Sequence, residues 1–182
     1  MLQSERMPEP WNSFFTELDS KLGDEVHLQC LGGFVISVGL ERPTNDVDFI
    51  SLHPNDQREV LLTLAGEGSP LRRKHGVYLQ CVTVSNLPDC FGDRLSEMFP
   101  GKFRKIHLFA LDPYDLALSK IDRNIQRDRD DVKHLIKTVP LDRKILQDRF
   151  EREFRPIFMG DGRRAELTLK LWIESFYEED AR

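Results

Sequence analysis

A glycine pair, followed about a dozen residues later by two aspartates that alternate with apolar residues, is the pattern that most constrains this chain. The run 26–31 alternates as a strand does and breaks at Gly32 and Gly33. The run 46–50 alternates again, so Asp46 and Asp48 should share one face of a strand while apolar residues occupy the other. The apolar face would anchor this strand in a core.

The two aspartates would lie roughly 7 Å apart along the strand. Such a pair of like charges is unfavourable unless water solvates it or a cation neutralises it. Mg²⁺ is usually held by one or two carboxylates together with substrate phosphates. Glycines let backbone amides approach a phosphate, and a helix that begins directly behind Gly32 and Gly33 adds a favourable dipole. Together these features predict a phosphate and metal site at Asp46 and Asp48.

Each half of the pattern has an ordinary explanation when it stands alone. A glycine pair is more often a simple turn, and an Asp-x-Asp at a strand edge is often only solvated. The combination at this spacing is more specific than either half.

Hydrophobic spacing predicts the other elements. The expected order is helix, strand, helix, strand, helix, strand, strand, and then a helical C-terminal third. Asp112 should cap the helix that starts at Pro113, and Asp115 should complete a capping box. The predicted helices are 11–22, 34–40, 57–65, 113–124, 128–138, 142–154 and 163–177, and the predicted strands are 26–31, 46–50, 76–84 and 105–111.

The composition is that of an ordinary globular protein, with 40% hydrophobic and 31% charged residues. The 182 residues have room for one domain, or for a domain at 1–138 with a helical extension at 139–182. No apolar run approaches the length of a membrane helix and the N-terminus resembles no signal peptide, so we expect a cytoplasmic protein with no membrane partner. Cys30 and Cys81 lie in apolar runs and are expected in the core. The sequence contains no CxxC pair, so the cysteines do not indicate a zinc site.

The net charge of −5 argues against whole-surface attraction to nucleic acid. Basic residues bunch at 72–75, 102–105 and 123–133, so a local patch remains open. A direct RNA binder that uses Arg72 to His75 is one alternative, and it predicts a steep salt dependence of RNA affinity.

The segment 31–33 together with 42–49 resembles the signature of the DNA polymerase beta-like nucleotidyltransferase superfamily. Within it, the chain is most similar to minimal bacterial proteins related to abortive-infection (AbiE-type) toxins of toxin–antitoxin systems. A second block, 112–120 with 127–132, also resembles that group. The resemblance covers roughly residues 26–137.

This resemblance implies an α/β (α+β) fold, a small mixed sheet flanked by helices. It implies that Asp46 and Asp48 are catalytic and hold Mg²⁺, as one ion or two. The nucleotide-binding residues that it implies are Gly32, Gly33, Arg42, Thr44, Ser119 and Lys120. The residues alone favour an ordinary surface lysine on an exposed helix face at Lys120.

The chain departs from the family pattern at the third acid. Active members generally carry another carboxylate on a later strand, where it serves as base toward the acceptor hydroxyl. The strand predicted at 76–84 contains no acid, and Gln80 takes the expected position. Asp89 or Asp93 in the following loop would be the substitute, unless both merely cap or solvate that loop.

Two functions from different classes follow. The first is a nucleotidyltransferase that moves a nucleoside monophosphate from an NTP to a hydroxyl of RNA (tRNA) or protein, as a toxin–antitoxin component with a cognate partner. The second is a catalytically inactive nucleotidyltransferase fold that acts as a regulatory or binding module, and Gln80 motivates it.

Overall fold

The computed structural model describes residues 7–37, 44–83 and 85–177, without the side chain of Ser37. The chain forms two compact units, Met1–Val84 with Leu95–Leu111 and Ser85–Arg94 with Asp112–Arg182. The division at residue 138 stays a prediction. Within the described ranges, no helix has the length and apolar character to cross a membrane.

The first unit contains a five-stranded mixed sheet in the order β3-β2-β1-β5-β4. Strands β1 and β5 pair in parallel, as do β2 and β3, whereas β1 with β2 and β4 with β5 are antiparallel. The sheet and its helices confirm the predicted fold class. The strands are β1 (Val26–Leu31), β2 (Asp46–His53), β3 (Tyr78–Cys81), β4 (Ser96–Met98) and β5 (Ile106–Ala110).

One face of the sheet is the core of this unit, because strand alternation sends every second side chain to the same side. Strands β1, β2, β3 and β5 contribute apolar side chains that are at most 2% exposed: Val26, Leu28, Cys30, Val47, Phe49, Leu52, Leu79, Ile106 and Leu108. The helices of this unit are α1 (Trp11–Lys21), α2 (Gly32–Ser37), α3 (Arg58–Ala65) and α4 (Pro70–His75). Asp46 and Asp48 therefore lie on the face opposite the core.

Helix α1 buries an aromatic stripe, as its spacing predicts. Trp11, Phe14 and Phe15 are at most 5% exposed, and Phe14 makes edge contacts with both of the others. Trp11 also contacts Phe34 of α2, with ring centroids 4.9 Å apart. The helix that begins at the glycine pair is thus anchored by packing against α1.

The second unit is helical, which confirms the helical C-terminal third. Its helices are α5 (Pro113–Leu118), α6 (Gln126–Thr138), α7 (Arg143–Arg149) and α8 (Gly162–Tyr177), and a π-helical turn, Phe150–Phe154, continues α7. Asp142 caps α7 by accepting hydrogen bonds from the amides of Lys144 and Ile145. Trp172, Phe150 and Phe154 are buried in its core.

The sequence prediction missed two elements of the first unit. Helix α4 carries ordinary end signals, since Ser69 accepts a hydrogen bond from the amide of Arg72 and Pro70 occupies the first position. Gly76 ends it in the left-handed conformation. Strand β4 has only three residues, too few to show a period.

The ends of several predicted elements also differ from the structure. The predicted strand 76–84 is shorter, since β3 covers only Tyr78–Cys81. The predicted helix 113–124 ends at Leu118, where i→i+3 bonds from the amides of Lys120 and Ile121 tighten the chain. Asp112 does cap α5. Asp115 forms no capping box, because the Arg94 guanidinium binds its carboxylate at 2.9 and 3.0 Å.

Candidate active site

Asp46 and Asp48 project from the same face of β2, as predicted. Both are half-buried, while Val47 and Phe49 on the opposite face are fully buried. The strand is therefore fixed by its apolar side, and the two carboxylates are held near the surface by a rigid element.

Thr44 orients the first of these carboxylates. Its hydroxyl donates to Oδ1 of Asp46 at 2.8 Å, and Thr44 itself is only 8% exposed. Because the bond joins residues two apart at the start of β2, it restricts the Asp46 side chain locally. Arg42, which is also predicted to bind the nucleotide, lies outside the described residues.

Gly32 packs directly against Asp48. Its φ of +77° is a backbone conformation that L side chains rarely adopt. A Cβ at this position would collide with Oδ2 of Asp48 and lie 3.2 Å from its Cγ. The glycine and the aspartate are therefore two parts of one local structure, and Gly33 follows in the first turn of α2.

The register of β1 and β2 creates this contact. Leu31 pairs with Asp48, so the next residue, Gly32, begins α2 beside the Asp48 side chain. A bulge shifts the register between Gln29 and Cys30. Bulges change the direction of side chains. The extra residue of this bulge lies on β2, and it allows Asp46 and Asp48 at one end of the strand and His53 at the other end to lie on the same polar face.

Gln80 lies directly beside Asp48, because β2 and β3 pair in parallel with these two residues in register. Neighbours in register share a face of the sheet. Gln80 is exposed, and its amide offers an oxygen acceptor and N–H donors but no base. Asp89 and Asp93 are exposed in a 3-10 turn of the second unit, and their role as substitutes stays a prediction.

Sequence reasoning missed Tyr78 and Arg72 at this site. Tyr78 pairs with Asp46, and the Arg72 guanidinium lies 5.2 Å from its ring centroid. Burial raises the pKa of Tyr78, and the negative charge of Asp46 raises it further, while Arg72 opposes the change. Counting two residues back from Gln80 along an alternating strand would have found Tyr78.

Cys30 lies behind the site in the core and is no nucleophile. Burial raises the pKa of its thiol to about 12, and the charge of Asp48 adds to the effect. Its predicted core position is confirmed. Cys81 is only half-buried, at the end of β3.

Ser119 and Lys120 belong to the second unit. The Ser119 hydroxyl donates to the carbonyl of Leu116 at 2.7 Å. Lys120 is only 6% exposed, and its ammonium lies 2.8 Å from Asp131 and 3.7 Å from Asp128. The surface-lysine alternative is therefore wrong, and the predicted role of Lys120 toward a nucleotide stays untested.

The basic segment 72–75 is not a free cationic patch. The Lys74 ammonium and the His75 imidazole both contact Glu17 of α1, at 2.6 and 2.9 Å. These contacts lower the pKa of Glu17 to about 2, chiefly through the hydrogen bond from Lys74. Arg72 lies 3.9 Å from Glu67, so part of this positive charge is paired within the unit, although Arg72, Arg73 and Lys74 are exposed. The RNA-binding alternative stays a prediction.

A small mixed sheet that carries two aspartates on one strand, with a glycine-initiated helix packed against them, is the arrangement of a nucleotidyltransferase-type domain. A family model described as "Nucleotidyltransferase of unknown function (DUF6036)" matches residues 17–175, and the chain belongs to this family. Searches of curated proteins and of solved structures gave no match. The narrower likeness to AbiE-type toxins stays a prediction.

Proposed function

We propose that this chain is a magnesium-dependent nucleotidyltransferase that moves a nucleoside monophosphate from an NTP to a hydroxyl of RNA or protein. The packing of Gly32 against Asp48 carries the proposal. It joins the two halves of the motif at one place, where a carboxylate pair on a rigid strand meets the backbone of a glycine pair.

The side chains present fit Mg²⁺. This ion prefers carboxylate oxygens and keeps positions for water and phosphate. Asp46 and Asp48 supply oxygen ligands on one strand face, and Thr44 constrains the first of them. When bound, the metal would neutralise charge on the phosphates and polarise the phosphoryl group.

The nucleotide phosphates would meet the backbone at Gly32 and Gly33, and a Cβ on Gly32 would take the space next to Asp48. Thr44 would act through Asp46. The resemblance adds Arg42, Ser119 and Lys120 to the nucleotide-binding set.

In the proposed reaction, the acceptor hydroxyl oxygen forms a bond to the α-phosphorus of the NTP. The bond from that phosphorus to the bridging oxygen of the β-phosphate breaks, and pyrophosphate leaves. The hydroxyl proton passes to water or to another base, since Gln80 accepts none at neutral pH. Gln80 can still orient the acceptor hydroxyl by hydrogen bonding.

Transfer of labelled nucleoside monophosphate to cellular RNA and to protein, with Mg²⁺ present, tests this function. Asp46→Ala should reduce transfer by at least on the order of 10³-fold, because a metal ligand acts on the transition state. Asp56→Ala, at an exposed acid beyond β2, is the matched control and should leave transfer unchanged. Folded wild-type protein that labels no acceptor would count against the enzyme.

The resemblance extends the proposal to a toxin–antitoxin component. Expression of the wild-type chain without its partner should then arrest growth, and Asp46→Ala should relieve the arrest. Growth that is unaffected by a catalytically active wild-type chain would remove this part of the proposal and leave the chemistry intact.

A second candidate is an inactive module that binds a nucleotide or a partner, and Gln80 beside Asp48 favours it. Calorimetry separates the two functions. Binding of a triphosphate that requires Mg²⁺ and is lost in Asp48→Ala supports the enzyme. Nucleotide binding that is independent of both supports the module.

A further inference from the structure

Three histidines lie side by side on the polar face of the sheet, at the end of β2 away from Asp48. His27 of β1 is in register with His107 of β5 and with His53 of β2. The ring centroids of His27 and His107 are 5.0 Å apart, and those of His27 and His53 are 6.4 Å apart. Adjacent strands thus fix the backbone positions of these imidazoles.

Glu25, just before β1, completes a compact group with two of them. Its Oε1 lies 2.8 Å from Nε2 of His27 and 3.6 Å from Nε2 of His107. One ligand atom from each of the three residues lies within 4.8 Å of the others. Ligands around a tetrahedral zinc ion lie roughly 3.4 Å from one another, so small side-chain adjustments would suffice.

Glu97 of β4 holds the other side of His107. Its Oε1 lies 2.9 Å from Nδ1 of His107. A neutral imidazole has one N–H, so His107 can donate to only one of the two carboxylates that flank it. If Nδ1–H donates to Glu97, Nε2 presents a lone pair toward Glu25, and a cation between them would satisfy both.

We propose that Glu25, His27 and His107 bind a divalent transition metal ion of the zinc class. Two imidazoles and one carboxylate form a ligand set of such ions, with a position left for water, whereas Mg²⁺ prefers oxygen ligands. Glu97 is a positioning residue, because a carboxylate on the second nitrogen fixes the tautomer and orientation of a ligating histidine.

This site is separate from the paired aspartates. His53 lies five residues along β2 from Asp48, which is roughly 17 Å at the rise of an extended strand. The ion would link the segment before β1 to β5, and its binding does not depend on the proposed nucleotide chemistry.

Calorimetry with Zn²⁺ and visible absorption with Co²⁺, on the full chain freed of metal, test the site. We expect one ion per chain and an absorption band in the visible range from coordinated Co²⁺. His107→Ala and His27→Ala should each weaken Zn²⁺ binding by at least about 10-fold, and Glu97→Gln by about 10-fold.

His53→Ala is the matched control, because this exposed histidine neighbours His27 but lies outside the group of three. It should keep the Zn²⁺ affinity, as should the double variant Asp46→Ala, Asp48→Ala. Thermal unfolding without metal verifies that each variant is folded. No Zn²⁺ binding, or binding that folded His27→Ala and His107→Ala variants retain in full, would overturn the proposal.

Discussion

The molecule contains two pairs of aspartates, one on strand β2 and one on helix α6. Within each pair the two residues share one face of their element, but the surroundings of the two pairs differ. Asp46 and Asp48, two apart on β2, are half-buried beside a threonine hydroxyl and a glycine. Asp128 and Asp131, three apart on α6, are 0% and 3% exposed and are bound by basic side chains. Spacing alone does not distinguish the two pairs.

The two pairs differ in how deeply they are buried and in the basic partners that the α6 pair has within its own unit. Lys120 contacts both buried aspartates of α6, Asp128 and Asp131, and Arg123 donates to Asp128 at 2.6 and 2.8 Å. Carboxylates in such buried ion pairs have a structural role, because losing either partner leaves an uncompensated buried charge. The aspartates of β2 are half-buried on the face of the strand opposite the core, where a carboxylate can reach an added cation.

Removing Lys120 should have the largest effect on stability. Lys120→Met keeps the aliphatic volume but leaves buried Asp131 and Asp128 without this cation, at a cost of roughly 3 kcal/mol in the free energy of unfolding. Urea denaturation measures it. Lys170→Met is the matched control, because its exposed ammonium lies 3.9 Å from Glu174 and should contribute less than about 0.5 kcal/mol.

The same measurement on Asp48→Asn completes the comparison. A half-buried ligand position should tolerate this near-isosteric change with a loss below about 1 kcal/mol. If Asp48→Asn destabilised the protein as much as Lys120→Met, the β2 pair would be structural, and the contrast between the two regions would fail.

Gly32→Ala should have the next largest effect, roughly 2 kcal/mol of destabilisation. Part comes from the left-handed backbone and part from the collision with Asp48. Gly76→Ala separates the two, because Gly76 has a φ of +78° but nothing within 4 Å of the added Cβ. Urea denaturation of both variants should show the larger loss for Gly32→Ala.

The double variant Gly32→Ala, Asp48→Ala then isolates the collision. Removing the Asp48 carboxylate should recover the part of the loss that exceeds the loss in Gly76→Ala. Equal losses in Gly32→Ala and Gly76→Ala would mean that Asp48 moves aside freely, and the proposed link between glycine and carboxylate would be wrong.

Local sequence patterns predicted much of the structure around the aspartates of β2. Alternation alone placed Asp46 and Asp48 on one face of a strand, and the register sets Gln80 beside Asp48. The contact of Gly32 with Asp48 was beyond reach, because it depends on the pairing of β1 with β2. Tertiary pairing of strands is not written in either segment alone.

The ion pairs around α5 and α6 were harder to predict, because they too depend on tertiary structure. Lys120 and Asp131 are 11 residues apart and meet only because a turn follows α5. Asp115 fits a capping box by its spacing, yet Arg94, 21 residues earlier, binds it. A buried charge finds its partner through the fold, and helix-end rules report only near neighbours.

The pH dependence of stability should reveal the ion pairs of Asp128 on α6. This effect should be smaller than the loss of stability in Gly32→Ala. Burial pushes the pKa of Asp128 upward, but hydrogen bonds from Arg123 and the charge of Lys120 outweigh it and hold the pKa below 3.8. The stability that Asp128 contributes is therefore present above the unfolded pKa and is lost as pH falls through the folded pKa. Asp128→Asn should flatten this loss below about pH 4 in thermal unfolding.

Asp115→Asn supplies a control of opposite sign. Burial raises the pKa of Asp115 despite Arg94, so the folded protein binds this proton first and gains stability from it as pH falls. Removing Asp115 should therefore steepen the acid loss. Parallel pH profiles for the two variants would contradict the assignment of Asp128 as an ion-paired structural carboxylate.

The smallest expected effect is a change in the pKa of Tyr78, which reports the charge on the β2 face. Asp46→Asn should lower this pKa because a raising charge is removed, and Arg72→Gln should raise it because an opposing charge is removed. Phenolate absorbance measures both changes, and Tyr78→Phe identifies the transition among three tyrosines.

Mg²⁺ turns this phenol into a probe of metal binding that needs no substrate. An ion held by Asp46 and Asp48 would offset the negative charge that raises the pKa of Tyr78, so saturating Mg²⁺ should lower that pKa. The shift should vanish in the double variant Asp46→Asn, Asp48→Asn. A Tyr78 pKa that stays fixed at all Mg²⁺ concentrations would mean that the outward-facing carboxylates of β2 hold no metal on their own, and the contrast with α6 would then rest on burial alone.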